Sequence, residues 1–326
     1  MSPHSSRHDD DLSASVVVAR TLGEALRLAT DWLRGLPDNE SAALDAQLLL
    51  AHVTSLARTT VLAYPERALS PDDAERYAAL VARRASHEPM AYLTGHREFM
   101  GMDFLTDARA LIPRPETELL VEAALAEVRA RLAESTTATI GTIGTIATDT
   151  VGAAAPVVAD IGTGSGAIVV ALARLEPRLE TMYATDVSAD ALALATENAQ
   201  RLGVAGRIRF LRGDLLLPLP QKVDVLLANL PYVAPRDAAT LPDDVRRYEP
   251  SLALYGDDDG LGHLRRLFAQ MPERLMPGAT ILLEFGYDQR TAVEALARAT
   301  FPSAEVRIIA DYAGWDRVAV IGTSAP

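Results

Sequence analysis

The sequence predicts an α/β protein whose larger part is a doubly wound sheet, preceded by a small α-helical domain. Two observations carry this reading. Between Leu22 and about residue 90 the apolar residues recur at helical spacing. After Pro156 the rhythm changes to short apolar runs, "VVADI", "TMYATD", "RIRFL", "VDVLLA", "TILLEF", "VRIIA" and "VAVIG", most of them separated by helical or turn-rich stretches. Parallel strands covered by helices on both faces read this way, because both faces must be apolar. A ligand of such a sheet lies outside the carboxyl ends of its strands.

Taken in order, residues 1–19 open with "MSPHSSRHDDDLSAS", which lacks the basic start, apolar middle and cleavage site of a secretory signal and reads as a disordered tail. Residues 20–90 form the helical domain. In its first helix Thr21 and Glu24 make a capping-box pattern, Leu22, Leu26, Ala29 and Leu33 share a face, and Gly35 and Pro37 end it. A second helix, about 40–54, is expected to bury Ala43, Leu44, Leu48 and Leu50. A third has Ser70 as its cap, Pro71 at its first position, and Asp72 and Asp73 against the helix dipole. Residues 91–112 lose the helical period and read as a β-hairpin connector. The sheet domain, 113–326, starts with a helix after Pro115 that places Leu119, Leu120, Ala123 and Val128 inward. Within it, the Thr/Gly/Ala-rich stretch 134–156 reads as a surface insertion, either a flexible loop or a β-hairpin extension.

Composition narrows the class. The 326 residues are 49% hydrophobic and 23% charged, with no apolar run approaching the roughly 20 residues that span a bilayer, so a soluble protein is expected. Cysteine is absent, which removes disulfides and thiolate metal sites and is compatible with a cytoplasmic location. Six histidines, none in a ligand-like pair, give little basis for a metal. The net charge of −13 disfavours a nucleic-acid substrate, since polyanion binding relies on Lys and Arg. "VRRY" and "HLRRLF" are the late candidates for a local basic patch.

The site candidates begin at "VVADIGTGSGAIVVALA", where a strand ends at Asp160 and Ile161 and turns through Gly162, Thr163, Gly164, Ser165 and Gly166 into a helix. Glycines there let a ligand lie close to the backbone. With Ala167 the loop also satisfies the dinucleotide pattern, so a nicotinamide enzyme stays open at this point. Asp160, Asp186 and Asp214 end three successive strands on one edge. Those acceptors suit S-adenosylmethionine, which carries two ribose hydroxyls, an ammonium group and a sulfonium but no phosphate. Asp186 is the expected ribose clamp.

The string "VDVLLANLPYVAP" then ends an apolar strand on Asn229. Two hydrogen-bond acceptors fall together there, the side-chain oxygen of Asn229 and the backbone carbonyl of Leu230, while Pro231 stiffens the turn and Tyr232 offers a flat surface. With "DIGTGSG" and Asp186, this element resembles the S-adenosylmethionine-dependent methyltransferases that act on planar nitrogen. "AYLTGHREFMG", "LIPRPETE", "YEPSLALYGDDDGL" and "DYAGWDRVAVI" narrow the resemblance to the HemK-type peptide-chain release factor N5-glutamine methyltransferases, over about residues 20–322 apart from the insertion.

The resemblance implies a class I, Rossmann-like methyltransferase domain, S-adenosylmethionine as methyl donor with S-adenosylhomocysteine as product, and the Gly-Gly-Gln glutamine of release factors as acceptor. It further implies that the helical domain and hairpin dock that protein partner, and a monomer is expected. Catalytic roles fall to Asn229, Leu230, Pro231 and Tyr232. Cofactor binding falls to Asp160, Gly162, Thr163, Gly164, Ser165, Gly166, Asp186, Asp214, Leu215 and Asn229. Two departures stand out: Leu230 replaces the usual proline, and Leu215 stands where some relatives carry an aromatic against adenine. The rival readings are an RNA adenine-N6 methyltransferase, whose corresponding element also reads Asn-Leu-Pro-Tyr, and a protein-binding module that keeps the fold without catalysis.

Overall fold

The computed structural model describes residues 16–35, 41–140 and 155–323. Most of the expected N-terminal tail and residues 141–154 of the expected insertion lie outside them. Two compact units divide the chain: the residues up to Gly95 with Pro242–Tyr248, and His96–Leu241 with Glu249 onward.

The smaller unit contains α1 (Leu22–Arg34), α2 (Ala42–Thr54), α3 (Arg58–Ala63), α4 (Pro71–Ala85) and α5 (Met90–Thr94). Thr21 caps α1 by accepting from the Glu24 amide, and the Glu24 carboxylate accepts from the Arg20 amide, one residue earlier than in the reciprocal capping box. Ser70 caps α4 in the expected way, with Pro71 in its first turn. The spacing of leucines misjudges α2. Its buried residues are Ala42, Asp45, Ala46, Leu49, Leu50 and Val53, whereas Leu44 and Leu48 are exposed. Two polar anchors select that face: Asp45 pairs with Arg84 of α4 at 2.8 Å, and the Ala46 carbonyl accepts from the buried Tyr77 hydroxyl at 3.0 Å. The short helix Asp243–Tyr248, distant in sequence, joins this unit, and the Tyr248 hydroxyl donates to the Ser86 carbonyl.

The larger unit opens with a hairpin, β1 (His96–Phe99) and β2 (Met102–Leu105), turned at Met100 and Gly101, both at positive φ. The helix α6 (Thr117–Ile140) follows and runs into the segment expected as an insertion. Then come β3 (Val158–Ile161), α7 (Ala167–Leu175), β4 (Met182–Asp186), α8 (Ala189–Arg201), β5 (Ile208–Arg212) and β6 (Val223–Asn229). After them come α9 (Gly262–Arg274), β7 (Leu275–Glu284), α10 (Arg290–Thr300), β8 (Glu305–Ala310) and β9 (Asp316–Gly322).

The strands form one seven-stranded sheet in the order β5-β4-β3-β6-β7-β9-β8. It is mixed rather than wholly parallel, because β9 runs antiparallel to β7 and β8. The turn at 311–315 is too short for the crossover, a dozen or more residues, that a parallel pair would need. Successive residues alternate between two apolar layers. Val158, Val225, Leu227, Leu282 and Val318 meet α6 and α7 on one face; Ala159, Leu226, Ile281, Leu283 and Ala319 meet α9 and α10 on the other. The chain leaves β3 toward β4, while β6 lies on the other side of β3. That reversal opens a crevice at the carboxyl ends of β3 and β6. No helix among the described residues is long and apolar enough to cross a membrane.

One buried amide ties the hairpin to the sheet layer. Asn198 of α8 accepts from the Leu105 amide at 2.8 Å and donates to the carbonyls of Leu105 and Ser165. Asn198→Ala leaves those backbone groups without this partner, and is expected to cost about 1–3 kcal/mol per unsatisfied group. Urea unfolding of the purified variant checks it.

Candidate active site

The crevice is a cavity of about 310 Å³ lined by the loops after β3, β4, β5 and β6 and by residues 109–114. Its floor is the glycine loop. The amides of Gly162 and Thr163 both donate to the Thr185 carbonyl at 2.9 Å, which fastens the loop to the end of β4. Gly162 has φ +70°, and a Cβ there would lie 2.7 Å from Cδ2 of Leu230. Leu230 is buried, and its side chain fills the space that glycine leaves open. The leucine that departs from the usual proline therefore joins the loop to the Asn-Leu-Pro-Tyr segment by direct packing.

Gly162, Thr163, Gly164, Ser165, Asp186, Asp214, Leu215, Asn229, Leu230 and Pro231 all line the cavity as expected residues. Asp160, Gly166 and Tyr232 do not line it. Asp160 is fully buried beneath the loop and accepts from the Thr163 hydroxyl at 2.6 Å. Burial pushes its carboxyl up to about 7, an effect that the Thr163 hydrogen bond opposes. Gly166 acts by packing, since a Cβ there would lie 3.0 Å from that of Ala195 on α8. Tyr232 is partly buried beside the cavity, and its carbonyl accepts from Gln289 Nε2 at 3.0 Å.

The three strand-end acids differ in what they can offer a ligand. Asp186 receives the amides of Gly164 and Ser188, each at 2.9 Å, which orient its carboxylate and leave lone pairs for further donors. Asp214 pairs with Arg266 at 3.1 Å, and Arg266 also meets His263 Nδ1. The other two arginines on the lining are also engaged, Arg109 with Asp107 and Glu197, and Arg114 with Glu249. With each lining arginine matched to a carboxylate, the cavity is poorly arranged for a phosphate and suited to a ligand bearing hydroxyls and positive charge. Arg266 belongs to "HLRRLF", whose basic character is thus spent on the site's own acid.

At the sheet edge, Asn229 Nδ2 donates to the Thr117 hydroxyl at 3.1 Å. That contact turns the donor end of the carboxamide toward α6, and Asn229 is among the residues that line the cavity. The following backbone is clasped by residues 254–260: the Val233 amide donates to the Leu254 carbonyl, and the Gly256 amide to the Val233 carbonyl, each at 3.0 Å. Side chains at Gly256 or Gly260 would run into the carbonyls of Pro231 or Tyr232. Glu249 accepts from the Ile112 amide and pairs with Arg114, holding the rim segment 109–114 against the same region. Glu249, Thr117, the 109–114 rim, His263 and Arg266 were missed as site residues by sequence reasoning. The strings "LIPRPETE" and "YEPS" were the available signal, because they place charged residues and prolines together outside any periodic element.

A mixed seven-stranded sheet with its glycine loop at the strand-order reversal, and an Asn-Leu-Pro-Tyr element one strand over, is the architecture of a Rossmann-like methyltransferase. In agreement, the Methyltransferase small domain family matches residues 144–242, and the PrmC N-terminal domain family matches residues 24–95. A release factor glutamine methyltransferase of Moorella thermoacetica is 42% identical over 304 residues, 93% of this chain and 97% of the relative. One of Bordetella pertussis is 42% identical over 277 residues, 84% of this chain and 93% of the relative. A third, of Cereibacter sphaeroides, is 37% identical over 295 residues, 90% of this chain and 96% of the relative. The chain belongs to the release factor glutamine methyltransferase family.

The Asp160 carboxyl is more basic in the folded than in the unfolded chain, so the folded state holds a proton that the unfolded state loses between about pH 4 and 7. Its contribution to stability is complete below that window and is lost as pH rises through about 7. Asp160→Asn is expected to flatten the fall in unfolding free energy across the window, leaving only the part due to other buried acids. Urea midpoints of both proteins from pH 4 to 8 measure it.

Proposed function

We propose that this methyltransferase transfers a methyl group from S-adenosylmethionine to the side-chain amide nitrogen of the glutamine in the Gly-Gly-Gln motif of peptide-chain release factors, in the cytoplasm and as a monomer. The observation that carries the reading is the placement of Asn229, on the cavity lining with its donor end engaged by Thr117. Relatives that share this family over nearly their full length are named release factor glutamine methyltransferases.

The residues fit the cofactor. Gly164 would leave room for the ligand against the backbone, Asp186 would accept from the ribose hydroxyls, and Leu215 and Val187 would supply apolar wall. When bound, S-adenosylmethionine supplies an electrophilic methyl group on a sulfonium that leaves as a neutral thioether. Asn229 Oδ1 and the Leu230 carbonyl accept the two N–H bonds of the substrate carboxamide, aligning its nitrogen lone pair with the incoming methyl. The same two acceptors polarise those N–H bonds, so that one proton leaves readily as the nitrogen–carbon bond forms. The segment is further anchored where the Tyr232 carbonyl accepts from Gln289 Nε2.

Incubation of the protein with methyl-labelled cofactor and a release factor is expected to label the Gly-Gly-Gln peptide, identified by mass spectrometry. Absence of label, or label that survives replacement of that glutamine, overturns the assignment. Asn229→Ala is expected to lower kcat by about 100-fold or more while leaving S-adenosylhomocysteine affinity within a few-fold, because it removes an orienting contact to the acceptor. Asp186→Ala is expected to show the reverse order, with affinity lost first; calorimetry with S-adenosylhomocysteine separates the two.

A further inference from the structure

Glu284 is a carboxylate where the sheet has little use for one. It ends β7, a central strand, directly opposite Asn229 in the parallel register of β6 and β7. It is buried, and its Oε2 has no hydrogen-bond partner. Its neighbours lead to the active site: the Thr117 and Asn229 side chains lie close enough to oppose the rise of its carboxyl's pKa, and Asn229 Nδ2 donates to Thr117 Oγ1.

We propose that Glu284 is a positioning residue which, through Thr117, fixes the orientation of the Asn229 carboxamide and so presents Oδ1 to the substrate amide. The inference rests on the function proposed above. Its logic is the direction of a hydrogen-bond chain. An ionised carboxylate can only accept, so the Thr117 hydroxyl spends its one hydrogen on Glu284. The oxygen of Thr117 can then only accept, and the group that faces it must be the NH2 of Asn229. The carboxamide oxygen is left on the opposite side, at the cavity. A neutral acid at 284 would reverse this, because its hydroxyl can donate to Thr117 and free the threonine hydrogen for Asn229 Oδ1. The carboxamide would then turn its donor end to the substrate, where two N–H groups would oppose each other.

The surroundings place this switch within the working range. Burial pushes the Glu284 carboxyl up to about 7, and Glu116 adds to the rise, while the Thr117 and Asn229 side chains and the charge of Arg317 oppose it. The charged and titratable groups that face Glu284 are Arg317 from β9, Glu116 from the segment before α6, and Tyr232 after β6. Arg317 in turn is paired with Asp311 at 3.2 Å, so part of its charge is already balanced. Asn229 and Thr117 complete the set and do not titrate. The ionised, orienting form therefore gains population as pH rises through about 7, and turnover should rise with it.

The test is the pH dependence of kcat for release-factor methylation by wild type and Glu284→Gln, side by side. A wild type that fails to methylate the factor refutes the proposed function; the outcomes that follow concern a wild type that does. In Glu284→Gln the expected result is kcat about 10- to 100-fold lower, S-adenosylhomocysteine affinity within about two-fold, and loss of the acid limb near neutral pH. A variant with wild-type kcat and an unchanged acid limb overturns the inference. Should Glu284→Gln not fold, by its thermal transition, Thr117→Val and Thr117→Ser decide. The valine, which lacks the hydroxyl, is expected to lose kcat and the serine to recover most of it; equal turnover in valine and wild type overturns the inference as well.

Discussion

The parallel pairing of β3 with β6 is the constraint on which the rest of this structure depends. In that register Ile161 lies opposite Ala228, so the glycine loop leaves one strand beside the point at which Asn229 leaves the other. The two loops then diverge, and the cavity is the space between them. Neither loop holds its form alone. Leu230 packs on the bare Cα of Gly162, and the Thr185 carbonyl at the end of β4 secures two loop amides. The glycine loop and the Asn229 segment thus share one seam, since a shift of the leucine moves both.

Around that seam the chain spends polar groups on backbone geometry. Asn198 bonds to the hairpin and to the glycine loop, Glu249 to the rim segment, Gln289 and the residues 254–260 to the backbone after Asn229. These partners come from four separate stretches of sequence. Each satisfies a main-chain group that a loop cannot satisfy within itself, and irregular backbone at a partly buried site requires such partners. The result is a crevice whose shape is set by hydrogen bonds from outside the loops that line it.

Electrostatics show the same economy. Three aspartates at adjacent strand ends read from sequence as one acidic cluster, yet the structure gives them three different situations. Asp160 is sealed below the loop and favours its neutral form, Asp186 is held by backbone amides, and Asp214 is paired with Arg266. Asp186 lines the cavity and, among the described residues, is paired with no cation. The sheet edge facing the Asn-Leu-Pro-Tyr segment carries its own buried acid in Glu284, opposite Asn229 in the register of β6 and β7.

The sequence by itself determined the strands, whose apolar runs in the central β3, β6 and β7 are buried on both faces, and the cavity floor, because glycines between a strand and a helix have few other uses. It also marked Asn229, a polar amide that ends a buried strand two residues before a proline and is costly there unless hydrogen-bonded. It misjudged α2, where helical spacing of leucines was overruled by a buried Asp45–Arg84 pair that no local pattern reveals. It also missed the antiparallel β9, set by a turn too short to cross the sheet. Thr117, Glu249 and Arg266 were not singled out individually for one physical reason: each bonds a partner 50 or more positions away. Only the packed sheet, which converts strand register into distance, decides such pairings.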